Sequence, residues 1–450
     1  MFPLKINKLF SIFLNIFFFT FFIFTNSNQI ILPFKTESIN IESSKYIEGI
    51  TDNKIYISID VGDPPQKINL YLTMDTTSLI ISNSSISSLY YNNLKSDTYV
   101  NTSKLTQFYL EYFSKGYYSK ENFIFPISYD LSNTKKFSNI EFIHVIEYSD
   151  TSHISSGYFG LQIPKANKMN IFENLKNADV ISSYVFEINY SSDNEGYLSI
   201  GEFPQKFTDK TDENIRRANA LPCSNDDKNL CWNLKFNDIS FGDIKVNRDR
   251  DATLTPELGV IVGTKEYMQK IEENYFGKSL KDKCEQKLSE NFYYYYECEK
   301  NADISTFKDL IFEHQEFMHN FILDKNDLFK TYGDKLYFLI VFDKFSSFGK
   351  SWKLGKPFIK KYNFLYGIDN KKIYFYGNKA NDDKSTNNLI YWVIIGILGL
   401  GVIVMIFLVL TKVIFKPKKI KANELIEDYD YSSPENNNNE NEKDSNLLIN

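Results

Sequence analysis

The chain reads KIYISIDVGDPPQKINLYLTMDTTS from Lys54 to Ser78. Apolar and polar residues alternate up to a turn at Gly62 and the prolines after it, and they alternate again from Lys67 to Met74. Alternation with a period of two is typical of half-buried β-strands. The stretch therefore predicts two strands joined by a turn, with Asp75 on a tight loop at the end of the second strand.

The rest of the chain also favours β-structure. Strand-like runs separated by clusters of Ser, Asn and Gly fill most of the region before Asn167, and few segments there have helical periodicity. One helix is predicted from Asn167 to Asn177, with Ile171 and Leu175 on its apolar face. This pattern predicts a mainly β protein.

Both ends of the chain carry apolar runs. Lys5 and Lys8 precede an apolar run from Leu9 to Phe24. This order predicts a secretory signal peptide, and the alternative is a membrane helix that is retained. A second run, Leu389 to Leu410, has no charged residue and is followed at once by lysines. The second run predicts a type I membrane helix with a cytoplasmic tail.

The region between these runs carries cysteines and glycosylation sequons that are typical of proteins in an oxidising compartment. An even number of cysteines predicts two disulfides, and the four are Cys223, Cys231, Cys284 and Cys298. Glycosylation sequons begin at Asn83, Asn101 and Asn189. The four histidines lack metal-site spacing, so no metal or cofactor is predicted. The net charge of −6 and the lack of a basic patch argue against a nucleic-acid partner.

The hairpin and its loop resemble the first active-site segment of pepsin-like aspartic peptidases. In that family a Y-x-G-x-I-x-I-G-x-P-P-Q hairpin leads into D-T-G-S/T, and here the loop reads D-T-T-S. Later stretches resemble further landmarks in the family's order: Ser156 to Leu161 (D-G-I-L-G-L), Trp232 to Gly242 (the opening of the second lobe) and Ser351 to Gly377 (W-x-L-G-x-x-F and the strand after it).

The resemblance spans Tyr46 to Lys379 and implies a mainly β, bilobal pepsin-like fold. Two pseudo-symmetric, barrel-like lobes enclose a cleft, and one C-terminal transmembrane helix follows. Leu354-Gly355 mirrors Phe159-Gly160, as expected of a duplicated lobe. Cys284 and Cys298 fit the family's second-lobe disulfide.

The chain therefore divides into seven predicted segments. They are a signal peptide (1–28), a lead segment (29–45), an N-terminal lobe (46–218), a C-terminal lobe (219–379), a stalk (380–388), a transmembrane helix (389–410) and a disordered cytoplasmic tail (411–450). The tail ends in a stretch that resembles an acidic dileucine signal for sorting adaptors. The predicted location is the secretory pathway, at the plasma membrane or an endolysosomal or vacuolar membrane.

The resemblance also implies a catalytic site in which two acids share one proton. It makes Asp75 the first acid, surrounded by Thr76, Thr77 and Ser78. It also implies that Tyr112 is the flap tyrosine over bound peptide, although that hairpin could be an ordinary surface feature. The alternative is that Asp75 has only a structural role and caps its own turn.

The second acid is missing from its expected place. Ala252 to Gly263 aligns with A-I-V-D-T-G-T-S-L-I-x-G, which puts Thr255 at the acid and Glu257 at the glycine. Two alternatives would restore an acid, because Glu257 could reach into the site or Asp251 could be the partner in a shifted register.

Three functions follow from these features. The first is a membrane-anchored peptidase homologue with impaired catalysis that binds extended peptide or protein in its cleft. The second is an acidic endopeptidase with an altered pair of acids. The third is a surface or adhesion protein that uses the fold as a scaffold.

Overall fold

The computed structural model describes residues 29–36, 46–83, 90–109, 113–148, 156–165, 170–203, 215–223, 229–345 and 351–376. The predicted signal peptide, stalk, transmembrane helix and tail lie outside these ranges, and so does Tyr112. No helix within the described ranges combines the length and the apolarity of a membrane span.

Strands dominate the described residues. The first thirteen are β1 (Ile30–Thr36), β2 (Ile55–Val61), β3 (Gln66–Thr73), β4 (Leu79–Ser82), β5 (Val100–Tyr109), β6 (Phe113–Pro126), β7 (Thr134–Tyr148), β8 (Gly157–Gly160), β9 (Val185–Tyr190), β10 (Glu195–Ile200), β11 (Ile215–Asn219), β12 (Leu221–Pro222) and β13 (Leu230–Cys231). The others are β14 (Asn233–Phe241), β15 (Ile244–Leu254), β16 (Ile261–Gly263), β17 (Cys284–Leu288), β18 (Tyr293–Glu299), β19 (Leu310–His314), β20 (His319–Leu323), β21 (Phe329–Tyr332), β22 (Lys335–Phe338), β23 (Ile340–Asp343), β24 (Trp352–Leu354), β25 (Phe364–Gly367) and β26 (Lys372–Tyr376).

The helices are short. They are α1 (Tyr46–Thr51), α2 (Ile171–Asn177), α3 (Lys265–Ile271), α4 (Lys325–Leu328) and α5 (Lys356–Lys361), with a 3₁₀ turn at Asn93–Lys95 and a π turn at Glu272–Phe276. The predicted helix from Asn167 begins at Ile171 as α2, because the Asn170 side chain caps it by accepting a hydrogen bond from the Phe172 amide.

Two large sheets build two lobes in the described part of the chain, which confirms the predicted mainly β, bilobal fold. One sheet runs β11-β26-β25-β9-β10-β1-β2-β3-β8-β4-β7-β6-β5. The other contains β14 to β24. Because β25 and β26 from the end of the chain join β9 and β10 of the first lobe, the lobes share a six-stranded platform from β11 to β1.

The predicted hairpin is formed by β2 and β3, with Ile57 opposite Leu70. Residues of β2 alternate strictly between buried and half-buried, as the sequence pattern predicts. Aromatic side chains pack where the two lobes meet. The rings of Phe186 and Tyr366 are stacked there, with their centres 4.6 Å apart. The indole of Trp232 donates a buried 2.8 Å hydrogen bond to the Leu161 carbonyl. These contacts hold the start of the second lobe against the first.

Both predicted disulfides are formed, Cys223–Cys231 and Cys284–Cys298. The second joins directly opposed residues of β17 and β18, so it staples a hairpin of the second lobe.

Candidate functional site

Two loops of similar construction face each other at the lobe interface. In the first lobe, β3 runs parallel to β8, with Leu72 beside Phe159 and Thr73 beside Gly160. In the second lobe, β15 runs parallel to β24, with Leu254 beside Leu354, directly before Gly355. Each loop leaves its strand beside a glycine of the neighbouring strand.

Those glycines are required by close backbone approach. A Cβ on Gly160 would lie 2.4 Å from the Thr76 carbonyl oxygen and 2.8 Å from that of Ser78. A Cβ on Gly355 would lie 2.4 Å from the Leu258 carbonyl oxygen and 2.0 Å from that of Val260. Any side chain at either position would therefore clash with the loop it supports.

These contacts establish which residues of the two loops correspond. Thr76 and Ser78 of the first loop match Leu258 and Val260 of the second, and the strand registers match Thr73 to Thr255. In the same register Asp75 corresponds to Glu257. The sequence alignment paired Asp75 with Thr255, and the structure corrects this pairing by two residues.

Asp75 lies at the surface of the first loop. Its side chain is exposed, and its amide donates a 3.1 Å hydrogen bond to the Thr73 hydroxyl. The residues around it are more enclosed: Thr76 is half-buried, and Thr77 and Ser78 are buried. The Thr76 and Thr77 carbonyls accept hydrogen bonds of 3.0 Å from the Gln162 and Ile171 amides. The first loop is thus fixed to its lobe while Asp75 remains open to solvent.

The Glu257 residue is half-buried, but its carboxyl group is enclosed at the interface. Its Oε1 accepts a hydrogen bond from the Met74 amide of the first loop. Its Oε2 has no exposed surface and no hydrogen-bond partner among the described residues. The backbone of Glu257 is also fixed, because the backbone amide of Asn53 donates a 2.8 Å hydrogen bond to the Glu257 carbonyl.

Burial, together with the nearby negative charge of Asp75, raises the pKa of the Glu257 carboxyl group to about 7. Hydrogen bonds from the Met74 amide and the Thr73 hydroxyl oppose this rise. Burial is the largest cause because a charged carboxylate is poorly stabilised away from water. Glu257 is therefore neutral in mildly acidic solution.

The other predicted site residues take different positions. Thr255 is half-buried, and its hydroxyl contacts the Thr253 carbonyl at 3.4 Å rather than Asp75. Asp251 lies inside β15 opposite Lys235, four residues before Thr255, so it does not belong to the loop. The β5–β6 hairpin expected of a flap is present, but its tip around Tyr112 falls outside the described residues. Glycosylation at Asn83, Asn101 and Asn189 stays a prediction.

Sequence reasoning missed Thr73, Met74 and Asn53. The Asn53 side-chain amide links the lobes by donating hydrogen bonds of 2.7 Å to the Pro256 carbonyl and 2.9 Å to the Tyr190 hydroxyl. A signal for Thr73 exists in the sequence, since T-M-D and T-P-E end equivalent strands. Within the described ranges no group of three or more His, Cys, Asp or Glu side chains is arranged to hold a metal ion.

The comparisons with known proteins agree with the fold. No curated protein matches the chain. The sequence model of the eukaryotic aspartyl protease family matches residues 54–376, which include both loops and nearly all the described strands. The chain therefore belongs to the eukaryotic aspartyl protease family.

Proposed function

We propose that this protein is a type I membrane-anchored peptidase homologue that binds extended peptide or protein in its interlobe cleft and hydrolyses it poorly or not at all. The observation that carries the proposal is the environment of Glu257, whose carboxyl group is buried against the Met74 amide. The apolar runs at the two ends of the chain support the membrane anchor and the secretory route.

Peptide hydrolysis by this family needs two carboxyl groups that both reach the substrate. One takes a proton from the attacking water, and the other donates a proton to the scissile carbonyl. Asp75 is exposed and can meet a substrate, whereas Glu257 Oε2 has no surface through which to do so. The substrate can therefore contact Asp75 but not Glu257 Oε2, whereas the reaction requires contact with both carboxyl groups.

The fold around these loops favours binding. A cleft between two β-lobes can hold an extended peptide by backbone hydrogen bonds and side-chain pockets. The β5–β6 hairpin supplies the element that covers such a peptide in the family. The burial of the Glu257 carboxyl group leaves these features in place.

The test is a peptide-binding and cleavage assay on the full chain in detergent, from about pH 3 to about pH 8, a range that brackets the ordinary and the raised pKa of Glu257. We expect saturable binding of extended peptides without cleavage. Tyr112→Ala should weaken binding, and Tyr129→Ala, at an exposed tyrosine outside the β5–β6 hairpin, should not. Equal binding by both variants and the wild type would favour a scaffold function over the cleft binder.

A second candidate is an active peptidase that uses Asp75 and Glu257 together. It is favoured by their equivalent positions in the two loops and by the pKa of about 7 that burial gives Glu257. A neutral acid close to a second carboxylate is the state that this chemistry uses.

A statine-containing peptide separates the two candidates. Such a peptide mimics the transition state, and an active site binds it at least about 100-fold more tightly than a substrate-like peptide. The binder should hold both peptides with similar affinity. Acid-dependent cleavage that is lost in both Asp75→Asn and Glu257→Gln would establish the peptidase.

A further inference from the structure

A cavity of about 560 Å³ lies beside the platform, where α1, the β9–β10 turn, α4 and α5 meet. Neither Asp75 nor Glu257 lines it. Its volume is in the range of sites for small organic molecules. Part of its wall is apolar or aromatic, formed by Ile50, Phe329, Tyr332, Leu339 and Pro357.

Four lysines line the same cavity, and three of them form ion pairs with carboxylates. Lys330 and Lys360 share Asp193, the first at 2.6 Å. Lys361 binds Asp327 at 2.6 Å. The first two pairs hold β21 and α5 to the β9–β10 turn, and the third holds α5 to α4.

Lys356 is the exception. Among the described residues its Nζ has neither a carboxylate within ion-pair distance nor a hydrogen-bond acceptor, and it lies 5.8 Å from the centre of the Tyr190 ring. Burial and the neighbouring charges of Lys330 and Lys360 lower the pKa of its amino group to about 8, although the negative charge of Asp193 opposes the shift. A buried ammonium group without a carboxylate partner is stabilised by a ligand that carries a negative charge.

We propose that this cavity is a second binding site, separate from the peptide cleft, for a small organic monoanion whose charged group contacts Lys356. The apolar wall takes the body of the ligand. The lining holds four lysines and three aspartates, Asp52, Asp193 and Asp327, so its net charge is +1 and one negative charge on the ligand balances it. A carboxylate supplies this single charge, whereas a phosphate monoester carries about −1.5 to −2 at pH 7.

Reductive methylation of the full chain in detergent, read by mass spectrometry, tests the proposal directly. At about pH 7 we expect Lys356 to react faster than Lys330, because the pKa of Lys356 is lowered and that of Lys330 is raised. Benzoate at about ten times its Kd should slow methylation of Lys356 about tenfold, because the reaction follows the unoccupied fraction. Benzamide, which is uncharged, should leave the rate unchanged.

Further probes identify the preferred anion and the contact. Phenyl phosphate, which carries about −1.5 to −2 at pH 7, should bind more weakly than benzoate, and tighter binding of phenyl phosphate would contradict a site for a monoanion. Lys356→Met should abolish benzoate binding measured by ligand-observed NMR, whereas Lys353→Met, at an exposed lysine of β24, should preserve it.

Two results would overturn the proposal. One is equal methylation of Lys356 with benzoate and with benzamide. The other concerns Glu37 and Glu42, two glutamates between β1 and α1 that lie outside the described residues. Faster methylation of Lys356 without any ligand in Glu37→Gln or Glu42→Gln would mean that a carboxylate of the chain itself is the partner of Lys356. Neither result bears on peptide binding in the cleft, so the two proposals are tested independently.

Discussion

Replacement of Glu257 by glutamine should remove a loss of stability that the wild-type protein suffers as the pH rises. Glutamine has nearly the same shape, and its side-chain oxygen can still accept the hydrogen bond from the Met74 amide. The substitution removes the ability to ionise and little else. It therefore isolates the free-energy cost of a buried charge at the lobe interface.

The magnitude follows from the two pKa values. Burial raises the pKa of Glu257 from 4.5 to about 7, so the folded protein holds this proton more tightly than the unfolded chain. Stability from this group is complete below about pH 4.5 and is lost as the pH rises to about 7. At 1.36 kcal/mol for each pKa unit, the free energy of unfolding should fall by about 3 kcal/mol relative to the glutamine variant.

The assay is urea unfolding between about pH 4.5 and pH 8, a range that brackets the two pKa values. Intrinsic fluorescence reports the transition because Trp232 and Trp352 are buried, one beside the interface and the other in the second lobe. The difference between wild type and Glu257→Gln should grow with pH. Glu316→Gln, at an exposed glutamate, is the matched control and should show a constant difference. A constant difference for Glu257→Gln as well would refute the burial of its carboxyl group.

Three further variants test the contacts that support the site, and each is read as a change in the protein's free energy of unfolding. Gly160→Ala should lower it by about 1–3 kcal/mol, because the new Cβ would clash with the Thr76 carbonyl, and a neutral result in thermal melting would contradict the loop packing. Replacement of Cys284 and Cys298 by serine should cost about 3 kcal/mol in urea unfolding through the lost loop constraint. Trp232→Phe leaves the buried Leu161 carbonyl without its donor, so calorimetry should show a loss of about 2 kcal/mol.

Much of the fold could be predicted because its signals are local. The alternation from Lys54 to Met74 specifies a hairpin wherever it folds, since one face of each strand must be buried. The order of the later landmarks then fixed two lobes, and the even number of cysteines in an oxidising context predicted both disulfides. Each of these inferences needed only neighbours in sequence or a familiar order of motifs.

The site could be predicted only in part. The matching flanks between Ala252 and Gly263 invited an alignment that puts Thr255 at the family's second acid. No local rule tells which residue of a loop follows a strand that pairs 100 residues away, as Leu254 pairs with Leu354. The partners that bury Glu257 are equally remote in sequence, since Met74 and Asn53 belong to the other lobe.

The sequence by itself thus determined the class of fold, the duplicated lobes, the disulfides and the two loops where a site should lie. The tertiary structure alone decided the register between those loops, and with it the pairing of Thr73 with Thr255 and of Asp75 with Glu257. It also decided that one acid is open to solvent and the other is buried. The physical reason is that periodicity and propensity act between neighbours, whereas burial and pKa depend on atoms that only the folded chain brings together.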